Sequence, residues 1–488
     1  TTGDKCNANN ACVGTAKTCN DGNSCTTDSC LALFGNCVFK NKTSGSCDDG
    51  NPCTEADVCA VGKCVGKTKS CDDKNACTAD ACDKSKGCQY SAINEGKFCA
   101  DTRICSASKC VCKYASTYPG ISPPVTEALF AVAPTTTGGV IAVGYRYKSG
   151  SGDEGLCQVV DGGNGVVASV TIAGEAKGDE LRAIIPFGSG TYLAAGERND
   201  TGASKNRGWL VKLDDKCDTK ASVKFYESGF KSYGHFFHGL VSDGGTGAWA
   251  VGQRSDPLPS TQYGWMVHVD SDLKALKSVK VGEGLKKTTF HGVARDAMGH
   301  YVAAGLTNSK TAGGNDGTAA MIDNNGNVLW WARYGTPEDD LFRAIALEGN
   351  FAWMVGETSA LKGTNGKDYW LVKIDLNGGK QVYSKISGGA GDEGFWAIAV
   401  SGTTRIASGR SFGSGHTDGA GYMARLSSSG VVDKDVYGGY SSGEDIWHGL
   451  TFIGDGRLFA VGQAYSPDTK SPNPWVRSFG ASLEFTCK

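Results

Sequence analysis

The sequence carries almost no net charge. Lys plus Arg is 49 and Asp plus Glu is 51 over 488 residues. No overall field therefore draws the chain to nucleic acid or to an anionic membrane. No apolar run comes near the roughly 18 residues that a membrane-spanning helix needs. No segment has a convincing helical period. His-Glu-x-x-His and Cys-x-x-Cys-His are both absent, which leaves two familiar metal and haem motifs without a carrier. Residues 1–113 hold no histidine and no Cys-x2-Cys pair, which counts against a zinc array there. Cysteine itself is nearly missing from the rest of the chain, where only Cys157, Cys217 and Cys487 follow Cys112. The first residue is Thr1 and no signal-type segment is present, the pattern expected of a processed mature chain.

What is present is a dense cysteine block. Of 21 cysteines, 18 lie between Cys6 and Cys112. Regular cysteine spacing in so small a segment reads as disulfides, hence an oxidising compartment: secreted or at the outer cell surface. Cys19, Cys25, Cys30 and Cys37 form one four-cysteine unit. Cys47, Cys53, Cys59 and Cys64 form a second; Cys71, Cys77, Cys82 and Cys88 a third; Cys99, Cys105, Cys110 and Cys112 a compressed fourth. Cys6 and Cys12 form half a unit: either a longer precursor is cut here, or another chain completes it, or, as the plainest reading, it is a degenerate first unit with one local bridge. Each unit is too short to bury a core, so bridges replace one, two per unit on the simplest expectation. Between the first two cysteines lie Asp48, Asp49 and Asn51, or Asp72, Asp73 and Asn75. These residues have two readings, Ca2+ ligands or Asx-turns; three carboxylates or amides per unit fall short of a calcium shell, which favours turns.

The remainder repeats a short phrase, a small apolar strand ending in Ala-Val-Gly or a variant. Its middle residue falls at Val143, Ala195, Val251, Ala304, Val355, Ser408 and Val461, with steps of 52, 56, 53, 51, 53 and 53. Each period carries four strand-like stretches, exemplified by Phe342-Arg343-Ala344-Ile345, Met354-Val355-Gly356, Trp370-Leu371-Val372-Lys373-Ile374-Asp375 and Val382-Tyr383-Ser384-Lys385. Four strands in each of seven repeats is the arithmetic of a β-propeller. The expected fold is all-β: residues 1–113 a disulfide-rich arm, 114–125 a linker, 126–488 a seven-bladed propeller.

The Trp-Leu-Val-Lys-Leu-Asp strand at 209–214, the turn Asp375-Leu376-Asn377-Gly378 and the loop Gly388–Glu393 resemble the seven-bladed propellers of secreted bacterial proteins. Cys47-Asp48-Asp49-Gly50-Asn51-Pro52-Cys53-Thr54 resembles the cysteine-rich repeats of myxobacterial and related surface proteins. These resemblances imply fold and compartment; the propeller fold hosts many activities.

Aligning the repeats exposes candidate site residues. The position before the Ala or Gly of strand one reads Phe130, Arg182, His238, His291, Arg343, Trp396 and His448. The links into strand one are acidic in four units: Asp179 and Glu180, Asp339 and Asp340, Asp392 and Glu393, Glu444 and Asp445. On one face, with the long loops between strands two and three, these residues make a binding mouth for a protein or glycan. A metal held by His238 and His291 is the sharper version of that reading; packing between blades is the plainer one. Gly409-Arg410-Ser411-Phe412-Gly413 mimics a nucleophile elbow, but occupies a strand exit in its repeat. The expected function is binding, adhesion or structural, with the arm as stalk or self-assembly element and no required cofactor beyond optional Ca2+. The alternative is a polysaccharide hydrolase or lyase with carboxylates such as Asp339 and Glu393 as acid and base. Cys157 and Cys487 are expected to clasp the ring, leaving Cys217 as the odd cysteine.

Overall fold

The computed structural model describes residues 2–6, 12–15, 18–31, 36–75, 77–93, 98–100, 103–106, 109–112, 125–148, 152–161, 166–172, 178–199, 206–225, 234–256, 261–282, 286–309, 314–361, 366–389, 391–412, 419–438, 444–466 and 471–479. The chain divides into two compact units, Thr1–Cys112 and Lys113–Lys488. Every described regular element is a strand.

In the first unit three cysteine repeats are each one antiparallel hairpin, Thr26–Leu31 with Asn36–Asn41, Thr54–Ala60 with Lys63–Thr68, and Thr78–Asp83 with Gly87–Ala92, whereas Phe98–Ala100, Arg103–Ser106 and Lys109–Cys112 of the fourth form a three-stranded sheet. The loop ahead of each hairpin is a run of Asx-turns. Asp48 accepts from the Gly50 N–H at 2.8 Å, and Asp49 from the Asn51 N–H at 2.9 Å and the Thr54 hydroxyl at 3.1 Å. Bridges of two kinds hold the units. One closes each unit, Cys19–Cys37, Cys47–Cys64 and Cys71–Cys88. The other joins neighbours, Cys25–Cys59 and Cys53–Cys82.

The second unit is a seven-bladed propeller. Six sheets are four-stranded meanders, and the seventh shows three strands among the described residues. The first strands, Val125–Pro134, Glu180–Pro186, His235–Ser242, Thr288–Arg295, Asp340–Glu348, Gly394–Ser401 and Ile446–Phe452, each touch the next, and the last touches the first, so they line the axis. The core is not central but radial. Seven apolar clusters lie one at each blade junction. Second strands supply both sides: Ile141 and Val143 pack toward blade two, Val140 and Ala142 toward blade seven. Period-two alternation thus buries both faces of one strand.

The glycine ending each phrase has a steric cause. A Cβ at Gly144, Gly196, Gly252, Gly305, Gly356, Gly409 or Gly462 would lie 1.8–2.0 Å from a carbonyl oxygen of the first strand, those of Ala128, Glu180, Phe236, Thr289, Leu341, Gly394 and Ile446. At that point every first strand carries a β-bulge. Phe342 pairs with Gly356 and Ala344 with Val355, which leaves Arg343 as the extra residue, and the same skip recurs in all seven blades.

One expected bridge is corrected. Cys157 bonds Cys217, with Cα atoms 5.9 Å apart, not Cys487; Cys487 itself lies outside the described residues. The third strand of blade one starts at Gly152, five residues before Cys157, so Cys157 sits in mid-strand. Cys217, at φ 67°, turns inward from its hairpin to meet it, and both are fully buried in the cluster between blades one and two.

Candidate functional site

The seven bulge residues are Phe130, Arg182, His238, His291, Arg343, Trp396 and His448. A bulge leaves one residue unpaired and re-aims its side chain. Here seven of them aim along one circle at the axis. The side chains make two runs of contact around it, Arg182–Phe130–His448–Trp396–Arg343 and His238–His291. The Arg182 guanidinium lies 4.6 Å from the Phe130 ring centroid. Phe130 meets His448 edge-on at 5.0 Å, and His448 meets Trp396 at 6.3 Å. The Arg343 and Arg410 guanidiniums each lie 5.2 Å from the Trp396 ring. His238 and His291 meet edge-on at 5.2 Å.

All three imidazoles are held neutral. Burial is the main cause, and the Arg182 and Arg343 charges add to it. The His291 pKa is pushed down to about 4 and that of His448 to about 3; His238 lies well below the usual value, with His291 also acting on it. His291 Nδ1 lies 2.7 Å from the Phe342 carbonyl oxygen, so Nδ1–H donates and Nε2 stays an acceptor. His448 Nε2 and the Nε atoms of Arg182 and Arg343 are buried without a hydrogen-bond partner among the described residues.

A second circle, one residue beyond each phrase glycine, supplies the counter-groups. Tyr145 stacks on Phe130 at 5.5 Å. Glu197 lies 3.8 Å from Arg182, which also pairs with Glu180. Glu357 binds Arg343 at 2.9 Å and Lys367 at 2.5 Å. Burial raises the Glu357 carboxyl, and those two cations outweigh it and hold the pKa low. Glu180 goes the other way, raised by burial. Sequence reasoning missed this circle, although its residues directly follow the phrase that marks each blade.

The acidic links separate into two roles. Asp179, Asp340, Glu393 and Asp445, with Glu127 of blade one, are each at most 2% exposed. They clamp their own junctions: Asp445 accepts from the Tyr465 N–H at 2.7 Å, Asp179 from Asn199 at 2.9 Å, Asp340 from Thr336 at 2.6 Å, and Glu393 from the Gly389 N–H. Their neighbours Asp339 and Asp392 accept from the Asn315 and Lys367 N–H groups at 2.7 and 2.9 Å. Glu444 pairs with Arg410. Asp339 and Glu393 belong to consecutive junctions. The carboxylate facing Glu393 is Asp368, and burial first and Asp368 after it raise the Glu393 pKa.

Groups of three or more metal-competent side chains, among the described residues, occur only in the cysteine-rich unit. Asp48, Asp49 and Asp57, and likewise Asp72, Asp73 and Asp80, bring carboxylate oxygens within 4.8 Å of one another. Asn51 and Asn75 are engaged with the N–H groups of Cys53 and Cys77. Three carboxylates supply only part of the six to eight oxygens that Ca2+ takes.

Comparison with known proteins separates the two units. Residues 18–41, 46–59 and 70–93 match the family described as Dictyostelium (slime mold) repeat. Protein psiN of Dictyostelium discoideum is 35% identical over 94 residues, which cover 17% of this chain and 13% of that protein. The chain thus spans a small part of that relative's length. The repeat family found is the slime-mold one, and the myxobacterial and bacterial likeness has no support in these matches. The propeller is similar in fold to the Neurospora crassa Pan2 WD40 domain (TM-score 0.45, 9% identity, covering 71% of this chain and 88% of that one). It is also similar to YCF48 from Cyanidioschyzon merolae (TM-score 0.41, 13% identity, covering 74% and 97%). Nothing about ligands follows from likeness at that level. No helix among the described residues is long and apolar enough to cross a membrane.

Proposed function

We propose that the protein is a partner-binding protein of an oxidising compartment, secreted or at the cell surface. The long-loop end of the propeller channel takes a protein or glycan, and the disulfide-linked arm serves as a stalk. One observation carries this reading: all seven blades spend a bulge on aiming a side chain at the axis, and those side chains differ. Packing alone would be served by seven similar apolar residues. Instead the circle holds two arginines, three neutral histidines and two aromatics, the donors and flat faces that convergent recognition uses.

A glycan array and a pull-down with the secreted chain test the reading, run with Arg343→Ala and Trp396→Ala. Binding that each substitution weakens, with unfolding unchanged, supports it. Release of reducing ends from a bound polysaccharide would replace it with catalysis. Binding that ignores both substitutions would move the site elsewhere.

A further inference from the structure

The bridges of the arm run in one direction. In each of the three units whose side chains are described the first cysteine bonds the fourth: Cys19–Cys37, Cys47–Cys64, Cys71–Cys88. The second bonds the third of the following unit: Cys25–Cys59 and Cys53–Cys82. The third and fourth stand directly opposite in each hairpin, Cys30 with Cys37, Cys59 with Cys64, Cys82 with Cys88, yet they do not bond each other. Each unit therefore offers its second sulfur forward and receives one at its third.

Cys30 is the receiving cysteine of the first complete unit, and it is free and exposed. Its two counterparts are both bonded; Cys59 is 2% exposed and Cys82 half-buried. A filled rung is also a docked surface. Across the Cys25–Cys59 junction the Asn23 amide donates to the Gly62 carbonyl at 2.9 Å, the Gly62 N–H to Lys42 at 3.1 Å, and the Cys59 N–H to Gly45 at 2.9 Å. Those bonds bring the two Cα atoms to 5.2 Å, within bridging range. Within a unit the second cysteine precedes the third by five or six residues, as in Cys25 and Cys30 or Cys53 and Cys59. No cysteine stands at that spacing ahead of Cys6 in this sequence.

We infer that Cys30 is the open end of this ladder, built to bond the second cysteine of a further repeat unit of the same kind. That cysteine is carried on an Asp-Gly-Asn-x-Cys loop outside these residues, in the same polypeptide or in another. A second copy of this chain does not supply it through Cys25 or Cys53, which are already bonded. The bond forms by two exchange steps with a small-molecule or protein disulfide: both thiols lose their protons, the new S–S bond takes their place, and the oxidant leaves as two thiols. The inference stands on the arm and is indifferent to what the propeller binds.

The test uses the whole chain made in an oxidising secretory host. Maleimide without reduction should label Cys30. A copy of residues 46–53 placed before Thr1 puts a second-position cysteine at the right spacing. In that extended chain Cys30 should lose its label, and peptide mapping should find it bonded to the copied Cys53. Changing the copied Cys53 to Ser should restore the label, which separates bonding from misfolding. Offering a separate repeat, residues 42–70, in glutathione buffer distinguishes the sources. A covalent adduct at Cys30 shows that another chain can supply the thiol; capture only in the fused form shows that it must come from the same chain. A Cys30 that stays labelled in the extended chain, or that forms Cys30–Cys30 dimers, overturns the inference.

Discussion

His238, His291 and His448 sit in the channel wall as neutral rings, and that state has a consequence for stability. Unfolded imidazoles protonate near pH 6.5, whereas His291 does so only near 4 and His448 near 3. The folded chain therefore binds fewer protons in between. Its stability is intact above about pH 6.5 and falls as pH drops below that, by at most about 1.4 kcal/mol per pH unit for each ring. Urea midpoints measured from pH 7 to pH 4 should fall, and His448→Phe should flatten the decline; an unchanged slope would clear His448 of this role. Glu393 has the opposite sign. Its pKa is raised, by burial before anything else, so stability is lost as pH rises from the unfolded carboxyl value toward the raised folded one, and the full cost is in place above that. Glu393→Gln keeps an acceptor for the Gly389 N–H and should raise the melting temperature at pH 7, with the gain vanishing at pH 4. Which positions would converge was legible from repeat alignment, because all seven directly precede the Ala or Gly of strand one, 12 or 13 residues ahead of the middle residue of the phrase. That the acidic links are clamps was not legible: Thr336 and Gly389 reach Asp340 and Glu393 from four residues before, whereas Asn199 and Tyr465 reach Asp179 and Asp445 from 20 residues on, in strand two.

At the scale of the strand, bulge and glycine are one device. The extra residue of strand one pushes its neighbouring carbonyl toward strand two, and only a residue without Cβ fits opposite. Gly305→Ala would set a methyl 1.9 Å from the Thr289 oxygen. A loss of about 3 kcal/mol or more is expected by denaturant unfolding. Gly454→Ala, which meets nothing within 4 Å, should change stability by less than about 0.5 kcal/mol. The recurring glycine was plain in the sequence. The bulge was hidden, since pairing register is a relation between strands and not a property of either. The third strands show the same limit: their tryptophans were visible as a pattern, but only folding shows the Trp209, Trp265 and Trp370 indoles donating to Ser222, Ser278 and Ser384 at 2.8–3.1 Å.

Across the propeller, seven junction clusters close a circle, so blade one must hold both blade two and blade seven. Cys157–Cys217 reinforces the first of these contacts across a separation of 60 residues. Removing it with paired alanines should cost about 4 kcal/mol by the chain-entropy estimate for that loop, read as a lower guanidinium midpoint. Non-reducing peptide maps should show Cys157 with Cys217; Cys157 joined to Cys487 would contradict this pairing.

The sequence by itself determined the number of blades, the four-strand repeat, the cysteine units and the strand-one position from which side chains converge. Each of these is local or periodic, and a period survives in one dimension. Only the tertiary structure decided which cysteines bond, which carboxylates are buried and why the glycine recurs. Those depend on distances between segments far apart in the chain. Cys30 and Cys59 stand at the same place in their repeats, and their spacing gives no hint that one is bonded and the other free.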